Sequence, residues 1–200
     1  MENPVRPPPA VVLAAGGSTR MGRPKALIPD GNGEETWLSR VVAACREGGC
    51  DPVLVVAGED ADAVGAEASR AGARVVENGA WARGRSTSIK AALPHLPAGA
   101  RGLVLFPVDH PLAGSGVVAA LREAQAGSPE GQVFLPVHGG RRGHPVLLAA
   151  ALFPALAALG DDEPLRTVIH APGRRIVEVP VEDEGILRNL DRPEDIPPGA

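Results

Sequence analysis

The protein has 200 residues, of which 44% are hydrophobic and 22% are charged, and its formal net charge at pH 7 is −4. These proportions are ordinary for a folded globular protein, so we expect one domain with a substantial core. The negative charge argues against nucleic acid as a partner, because proteins that grip nucleic acid usually carry a basic face.

Neither a zinc site nor a membrane span is indicated. Cys45 and Cys50 are the two cysteines of the chain, and without a further Cys or His cluster we expect buried free thiols. The longest apolar run, residues 146–159, contains a proline and is too short to cross a membrane. No secretion signal is recognisable at the start. We therefore expect a cytoplasmic protein without a membrane partner.

Short apolar runs recur along the chain with helical patterns between them. The runs are continuous instead of alternating, which is typical of strands buried on both faces. The predicted strands are residues 10–15, 52–57, 74–77, 103–107, 133–137 and 176–179. Helical spacing of apolar residues marks the segments 37–45 and 117–121. The order favours an α/β domain over residues 10–196, with a mainly parallel sheet covered on both faces and with residues 1–9 and 197–200 as flexible tails.

A glycine-rich loop follows the first predicted strand, where the sequence reads LAAGGSTRMGRPK over residues 13–25. Ligands of parallel sheets bind beyond the carboxyl ends of the strands. Gly16 and Gly17 allow the backbone to approach a ligand closely, and Arg20 and Lys25 supply charge that attracts a polyphosphate. The loop therefore predicts a phosphate site, and a tight turn without a ligand is the alternative.

The spacing of this loop differs from two common nucleotide motifs. It does not supply the G-x-G-x-x-G fingerprint of dinucleotide-binding proteins. Gly17 and Gly22 have the separation of the two P-loop glycines, but Lys25 comes two positions too late for that motif. The loop therefore belongs to neither class.

A second candidate site residue, Asp109, follows the predicted strand 103–107. A βαβ unit places the ends of both strands at one edge of the sheet, so we expect Asp109 to lie near the glycine-rich loop. A single carboxylate at a strand end is chemically adequate for Mg²⁺, which takes one or two carboxylates together with substrate phosphates. A turn residue before proline is the alternative.

The glycine-rich loop closely resembles the LAAGxSxRMGxxK signature of the MobA/MocA-type nucleotidyltransferases, most closely the molybdenum cofactor cytidylyltransferase branch. This resemblance implies a three-layer, Rossmann-like fold of the nucleotide-diphospho-sugar transferase type. It also implies that Arg20 binds the β- and γ-phosphates of a nucleoside triphosphate and that Lys25 neutralises the α-phosphate, both as catalytic residues. The remaining nucleotide contacts that it implies in the loop are Leu13, Ala14, Ala15, Gly16, Gly17 and Ser18.

Two further segments resemble nucleotide and metal motifs of the same family. Residues 78–89 are similar to its N-x-x-W-x-x-G-x-x-x-S segment, which borders the base and phosphates. This implies nucleotide contacts from Asn78, Gly84, Ser86 and Ser88. A helix N-cap is the alternative role of the two serines. Asp109 resembles the first residue of the family's D-x-P element, whose carboxylate holds the divalent metal and makes Asp109 a third catalytic residue.

The last two resembling segments lie near the end of the chain. Residues 142–148 are similar to the G-x-P-V-L-F segment that faces the acceptor, which implies acceptor contacts from His144 and Pro145; a structural turn is the alternative for His144. Residues 189–195 are similar to the closing D-I-D-T-P-E-D pattern, with Asn189 in place of its first Asp. The resemblance implies Asp191 as a second metal ligand and leaves open whether Asn189 takes that place. A capping role is the alternative for Asp191.

The reaction implied is Mg²⁺-dependent transfer of a nucleoside monophosphate to a small phosphorylated acceptor. CTP is favoured because the GTP-using branch usually carries glycine at the position of Ala15. Molybdopterin is the acceptor implied by the nearest branch, while related enzymes act on sugar phosphates, isoprenoid precursors and phospholactate. A serine hydrolase is disfavoured, since its nucleophile motif needs glycine where Ser88 stands. A non-catalytic nucleotide-binding module is the second alternative, and a monomer or small homo-oligomer is expected.

Overall fold

The computed structural model describes residues 6–18, 21–30, 33 and 35–196. Arg20 and most of the two expected tails, residues 1–5 and 197–200, lie outside these described residues. The described residues include a sheet of eight strands. The strands are β1 (Ala10–Ala14), β2 (Val53–Ala57), β3 (Arg74–Glu77), β4 (Gly102–Pro107), β5 (Val133–His138), β6 (Arg141–Arg142), β7 (Val146–Ala149) and β8 (Ile176–Pro180).

Helices connect most of the strands. They are α1 (Trp37–Glu47), α2 (Ala61–Arg70), α3 (Ser86–Ala92), α4 (Ser115–Gly127), α5 (Phe153–Ala157) and α6 (Arg166–Ile169). The predicted helical segment 37–45 is confirmed as part of α1, which begins with a capping box: the Thr36 hydroxyl accepts from the backbone N–H of Ser39, and the Ser39 hydroxyl accepts from that of Thr36. The predicted segment 117–121 is confirmed as part of α4.

The strands lie in the order β3-β2-β1-β4-β7-β5-β6, and β8 also pairs with β5. β1, β2, β3 and β4 are parallel, while β7 is antiparallel to both β4 and β5. Because β8 is parallel to β5, only β6 and β7 oppose the other six strands. The predicted mainly parallel sheet is therefore confirmed.

Helices cover both faces of the sheet. Successive strand residues point to opposite faces, so Val12 packs with the helices α1, α2 and α4 while Val11 packs with α3, α5 and α6. In β4, Phe106 packs on the same face as Val12, and Leu105 packs on the same face as Val11. This arrangement gives three layers, and it explains why the strand sequences are continuously apolar.

The apolar run 146–159 changes structure along its length. It forms β7, then a short 3-10 turn at Ala150–Leu152, and then α5. In the described part of the chain, no helix is both long and apolar enough to span a membrane. Cys45 and Cys50 are confirmed as buried free thiols, and burial raises the pKa of Cys50 to about 12.

Candidate active site

The elements that carry the predicted site residues, as far as the structure describes them, meet at one edge of the sheet. The glycine-rich loop leaves β1, Asn78 follows β3 and Asp109 follows β4. β1 and β4 are direct neighbours, with Leu13 level with Pro107, which confirms that the two strand ends lie close together. β7 runs in the opposite direction, so its start, preceded by His144, lies at this edge as well.

At this edge, Lys25 contacts two carboxylates. Its Nζ lies 3.5 Å from Oδ2 of Asp109 and donates a hydrogen bond to Oδ1 of Asp191. The three side chains are largely but not fully enclosed, with exposed fractions of 13% for Lys25, 25% for Asp109 and 28% for Asp191. A ligand in solution can therefore reach the Lys25 ammonium group, which the two carboxylates hold in place.

The described part of the glycine-rich loop is folded back on itself by Ser18. Its hydroxyl accepts a hydrogen bond of 3.0 Å from the backbone N–H of Lys25 and donates to the carbonyl of Gly16. Ser18 has a φ of 45°, a left-handed conformation that a non-glycine residue adopts uncommonly. The loop thus brings Lys25 back toward the end of β1.

Backbone contacts fix the position of Asp191. The N–H of Leu190 donates to the carbonyl of Asp109 over 2.8 Å, and the Asp195 carboxylate accepts from the N–H groups of Asp191 and Arg192. These bonds tie the closing segment to the loop after β4. Asn189, in contrast, is exposed, whereas Asp191 contacts Lys25.

Two histidines adjoin Asp109. His110 Nδ1 lies 2.8 Å from Asp109 Oδ1, and the His110 and His144 rings meet edge to face with centroids 4.7 Å apart. Burial alone would raise the pKa of Asp109, but the hydrogen bond and charge of His110 and the charge of Lys25 outweigh it and lower that pKa. Asp109 is therefore ionised at neutral pH.

His144 is neutral at the same pH. Burial, followed by the charge of His110, lowers the pKa of His144 to about 4, against the opposing effect of Asp109. Its Nδ1 atom is buried and has no hydrogen-bond partner in the described part of the chain. A buried nitrogen without a partner is costly in a folded protein, so a ligand that supplies one would bind favourably here.

The carboxylates Asp109 and Asp191 fit a divalent cation of the hard type. Within the described residues, no group of three or more His, Cys, Asp or Glu side chains could hold a metal by itself. Mg²⁺ commonly uses one or two carboxylates and completes its shell with substrate phosphates and water. Asp109 and Asp191 match that requirement, because both carboxylates already converge on the ammonium group of Lys25.

On the other side of the glycine-rich loop, the residues predicted to contact the nucleotide build the connection from β3 to α3. The buried Asn78 amide donates to Thr87 and Ser88 over 2.9 and 3.0 Å, and its oxygen accepts from the N–H of Ala80. The Ser86 hydroxyl donates to the carbonyl of Glu163. Their direct contact with a nucleotide stays a prediction, because these polar groups are already bonded within the protein.

Gly84 and Gly17 both lie against other segments of the chain. Gly84 has a φ of 144°, and a Cβ there would overlap the backbone of Asp161. A Cβ at Gly17 would overlap the Glu59 carboxylate and would lie 3.5 Å from Cζ3 of Trp81. Glu59 and Trp81 were not among the predicted site residues. The one signal for Glu59 in the sequence is its position two residues after the buried run of β2.

The two residues predicted to contact the acceptor, His144 and Pro145, lie in the turn that precedes β7. The N–H of Gly143 donates to the carbonyl of Pro136, and the N–H of His144 donates to the carbonyl of Ile186 over 3.0 Å. A Cβ at Gly143 would overlap the Ile186 carbonyl, so only glycine allows this close approach. His144 and Pro145 are thereby held between β5 and the 3-10 turn Glu184–Leu187.

Comparison with known proteins identifies a family and several relatives of this chain. Residues 10–178 match the family of the MobA-like NTP transferase domain. The nicotine blue oxidoreductase of Paenarthrobacter nicotinovorans is 30% identical over 192 residues, which cover 90% of each chain. The molybdenum cofactor guanylyltransferase of Rhizobium meliloti is 34% identical over 174 residues, 85% of this chain and 72% of the relative.

Solved structures share the fold. Rv0371c of Mycobacterium tuberculosis superposes with a TM-score of 0.79 at 28% identity, covering 94% of this chain and 95% of that one. Its complex with manganese has a TM-score of 0.70 at 26% identity, covering 88% and 89%. A nucleotidyl transferase from Methanothermobacter thermautotroptrophicus has a TM-score of 0.78 at 27% identity, covering 94% and 93%. These likenesses confirm the expected Rossmann-like nucleotidyltransferase fold.

Proposed function

Because this chain belongs to the MobA-like NTP transferase family, we propose that it moves a nucleoside monophosphate from a nucleoside triphosphate to a phosphorylated acceptor. The observation that carries the proposal is the contact of Lys25 with both Asp109 and Asp191 beside the glycine-rich loop. Catalysis of nucleotidyl transfer rests on alignment and charge neutralisation. A lysine and two carboxylates at the end of a phosphate-binding loop supply both.

In the proposed reaction, an oxygen of the acceptor phosphate attacks the α-phosphorus in line. The bond from the α-phosphorus to the bridging oxygen breaks, and pyrophosphate leaves with the electron pair. Lys25 stabilises the charge that develops on the α-phosphate oxygens, and Arg20, from the same loop, binds the β- and γ-phosphates. No covalent enzyme intermediate is needed.

Asp109 and Asp191 are the proposed ligands of Mg²⁺. The metal, when bound, neutralises part of the triphosphate charge. The lowered pKa of Asp109 supports this role, because a carboxylate must be ionised to serve as a ligand. The enclosed contact of Asp191 with Lys25, against the exposed side chain of Asn189, favours Asp191 as the second ligand.

CTP is the proposed nucleotide, with GTP as the alternative. Ala15 resembles the residue of the cytidylyltransferase branch, whereas the relative from Rhizobium meliloti is named a guanylyltransferase. The Ala15 methyl group is buried against Gly58. Ala15 therefore acts on the base through the position of the loop backbone.

The proposed acceptor is a small phosphorylated molecule of the molybdopterin type. The Rhizobium meliloti relative is named a molybdenum cofactor guanylyltransferase, which supports molybdenum cofactor chemistry. The buried Nδ1 of His144 supplies an unused hydrogen-bonding group on the acceptor side, next to Asp109. A sugar phosphate is the alternative acceptor.

A screen of the four common triphosphates tests this proposal. Each is incubated with the protein, Mg²⁺ and either extracted molybdenum cofactor or a sugar phosphate, and pyrophosphate is measured. Release that requires acceptor, metal and protein together supports nucleotidyl transfer. Tight nucleotide binding without release would instead identify a non-catalytic nucleotide-binding module.

Hydride transfer is a second candidate, favoured by one observation. The relative from Paenarthrobacter nicotinovorans, which matches over 90% of both chains, is named nicotine blue oxidoreductase. Oxidation of NADH or NADPH in the presence of nicotine blue, followed by absorbance, tests this activity. The paired carboxylates around Lys25 favour the transferase, because hydride transfer needs no metal-binding carboxylates.

A further inference from the structure

Glu59 stands beside the glycine-rich loop at the end of β2. The residue before it, Gly58, packs so closely on Ala15 that a Cβ at Gly58 would overlap the Ala15 carbonyl and would lie 2.7 Å from the Ala15 methyl group. The backbone N–H of Glu59 donates to that same carbonyl over 3.5 Å. The start of the glycine-rich loop and the end of β2 are therefore in direct contact, and Glu59 emerges at their junction.

The Glu59 side chain extends over Gly17. A Cβ at Gly17 would overlap Oε2 of Glu59 and would lie 3.2 Å from its carboxyl carbon, while the half-buried Trp81 ring approaches the same point to 3.5 Å. Glu59 itself is exposed. Among the residues that the structure describes, no hydrogen bond to the carboxylate and no ion pair engages it. A carboxylate available to a ligand thus adjoins an aromatic ring at the nucleotide side of the edge.

The charge of Glu59 determines which part of a nucleotide it can contact. A carboxylate accepts hydrogen bonds and repels phosphate oxygens. The phosphates belong with Lys25 on the β4 side of the loop, whereas Glu59 lies on the β2 side. Base edges offer exocyclic amino groups as donors, and the cytosine amino group is a known partner of Glu and Asp side chains. An indole face is a surface on which a base stacks.

We propose that Glu59 reads the nucleotide base by accepting a hydrogen bond from its exocyclic amino group, with Trp81 as the stacking surface. This inference rests on the proposed function, because it requires that a nucleoside triphosphate occupies the loop. For CTP the donor is the N4 amino group. UTP carries an oxygen at that position, which a carboxylate repels, so Glu59 discriminates against UTP.

Two substitutions at Glu59 test the proposal by nucleotide affinity. Calorimetry with the full chain gives the dissociation constants of CTP and UTP for the wild-type protein, Glu59→Ala and Glu59→Gln. We expect Glu59→Ala to weaken CTP binding about 10-fold, a typical size for a lost hydrogen bond to a charged group. UTP binding should become stronger in this variant, because the repulsion of its oxygen is removed. Glu59→Gln should strengthen UTP binding, because its amide can donate to the keto oxygen.

Three controls keep the result interpretable. Glu123→Gln changes an exposed carboxylate of α4 and should leave both affinities unchanged. If the wild-type protein prefers GTP, the same comparison is made between GTP and ITP, which lacks the exocyclic amino group. Circular dichroism and thermal unfolding check that the Glu59 variants, altered at an exposed position, are folded.

Two outcomes would overturn the proposal. An equal loss for all triphosphates, absent with 2′,3′-dideoxy analogues, would assign Glu59 to the ribose. Unchanged affinities in both variants would make it a surface residue. The proposed function can fail separately from this inference. A protein that distinguishes CTP from UTP through Glu59 but releases no pyrophosphate would refute the transferase alone. Turnover that does not change when Glu59 is replaced would refute only the role of Glu59.

Discussion

Lys25 Nζ lies 3.5 Å from Oδ2 of Asp109, and this ion pair joins the loop after β1 to the loop after β4. The two residues are far apart in the sequence and meet because β1 and β4 are neighbouring parallel strands. Asp191 contacts the same ammonium group from the closing segment of the chain. The three residues form the part of the edge on which the proposed chemistry depends.

Replacing Lys25 with Ala should reduce turnover by roughly 10² or more, with a much smaller effect on nucleotide affinity. The reason is that a charge contact made chiefly in the transition state affects kcat more than binding. Steady-state kinetics and calorimetry measure the two effects. Lys90→Ala is the matched control. Lys90 is the other of the two lysines in the chain, and from α3 it forms an ion pair with Asp161. Near-normal turnover of Lys25→Ala would contradict the assignment.

The metal ligands can be distinguished by a pair of neighbouring variants. Asp191→Asn removes a carboxylate that contacts Lys25 and should raise the Mg²⁺ concentration needed for half-maximal activity at least several-fold. Asn189→Ala, at an exposed position, should leave it unchanged. Titration of activity with Mg²⁺ measures both. The reverse pattern would assign the metal to Asn189.

Asp109→Ala should abolish Mg²⁺-dependent activity. Asp109, in the loop after β4, is the proposed ligand, and its pKa is already lowered by contacts that favour the ionised form. Activity assays over a range of Mg²⁺ concentrations give the result. A variant that keeps the wild-type metal dependence would show that this carboxylate is not a ligand.

Gly143→Ala should destabilise the fold and displace the acceptor side. The added Cβ would overlap the backbone of Ile186, so the turn that carries His144 has to shift. We expect a loss of roughly 1–3 kcal/mol in the free energy of unfolding and a higher KM for the acceptor. Denaturant unfolding and acceptor kinetics measure them. Gly116→Ala is the control, because a Cβ at Gly116 in α4 meets open space and should be neutral or stabilising.

His144 should make the fold less stable as the pH falls from 6.5 to 4. Burial lowers the pKa of His144 in the folded protein to about 4 from its ordinary value of 6.5, so the unfolded chain binds the proton first and is favoured in this window. The loss attributable to His144 is at most about 3 kcal/mol. His144→Gln should flatten this part of the stability profile, as followed by urea unfolding across the pH range. An unchanged slope would mean that His144 is not responsible.

Much of the fold could be predicted from the sequence because β1, β2, β4 and β5 are largely buried on both faces, while β3 and β8, the other two of the six predicted strands, are partly exposed. Continuous apolar runs mark such strands directly, and each of the six was found within one residue of its predicted start. β7 and α5 could not be separated, since periodicity does not distinguish a short buried strand from a buried helix within one apolar run. β6 has only two residues, both exposed arginines, and carries no strand signal.

The site was only partly predictable. Asp109 and Lys25 could be brought together because parallel strands end at a common edge. The contact of Asp191 depends on the bond from Leu190 to Asp109, which no local pattern predicts. Glu59 and Trp81 meet over Gly17 through the packing of β2 and the segment after β3. Trp81 belongs to the N-x-x-W segment, but that motif does not reveal its contact with Glu59, and Glu59 carries no motif.

The most direct test of the proposed transferase follows the α-phosphorus of CTP. With CTP labelled at that atom, Mg²⁺ and the phosphorylated acceptor, the label should appear in a diphosphate-linked product that joins CMP to the acceptor, while pyrophosphate carries none. The Lys25→Ala protein should form this product at roughly one hundredth of the rate or less. Label that stays in the triphosphate with every nucleotide and acceptor, or that appears only as free CMP, would contradict nucleotidyl transfer.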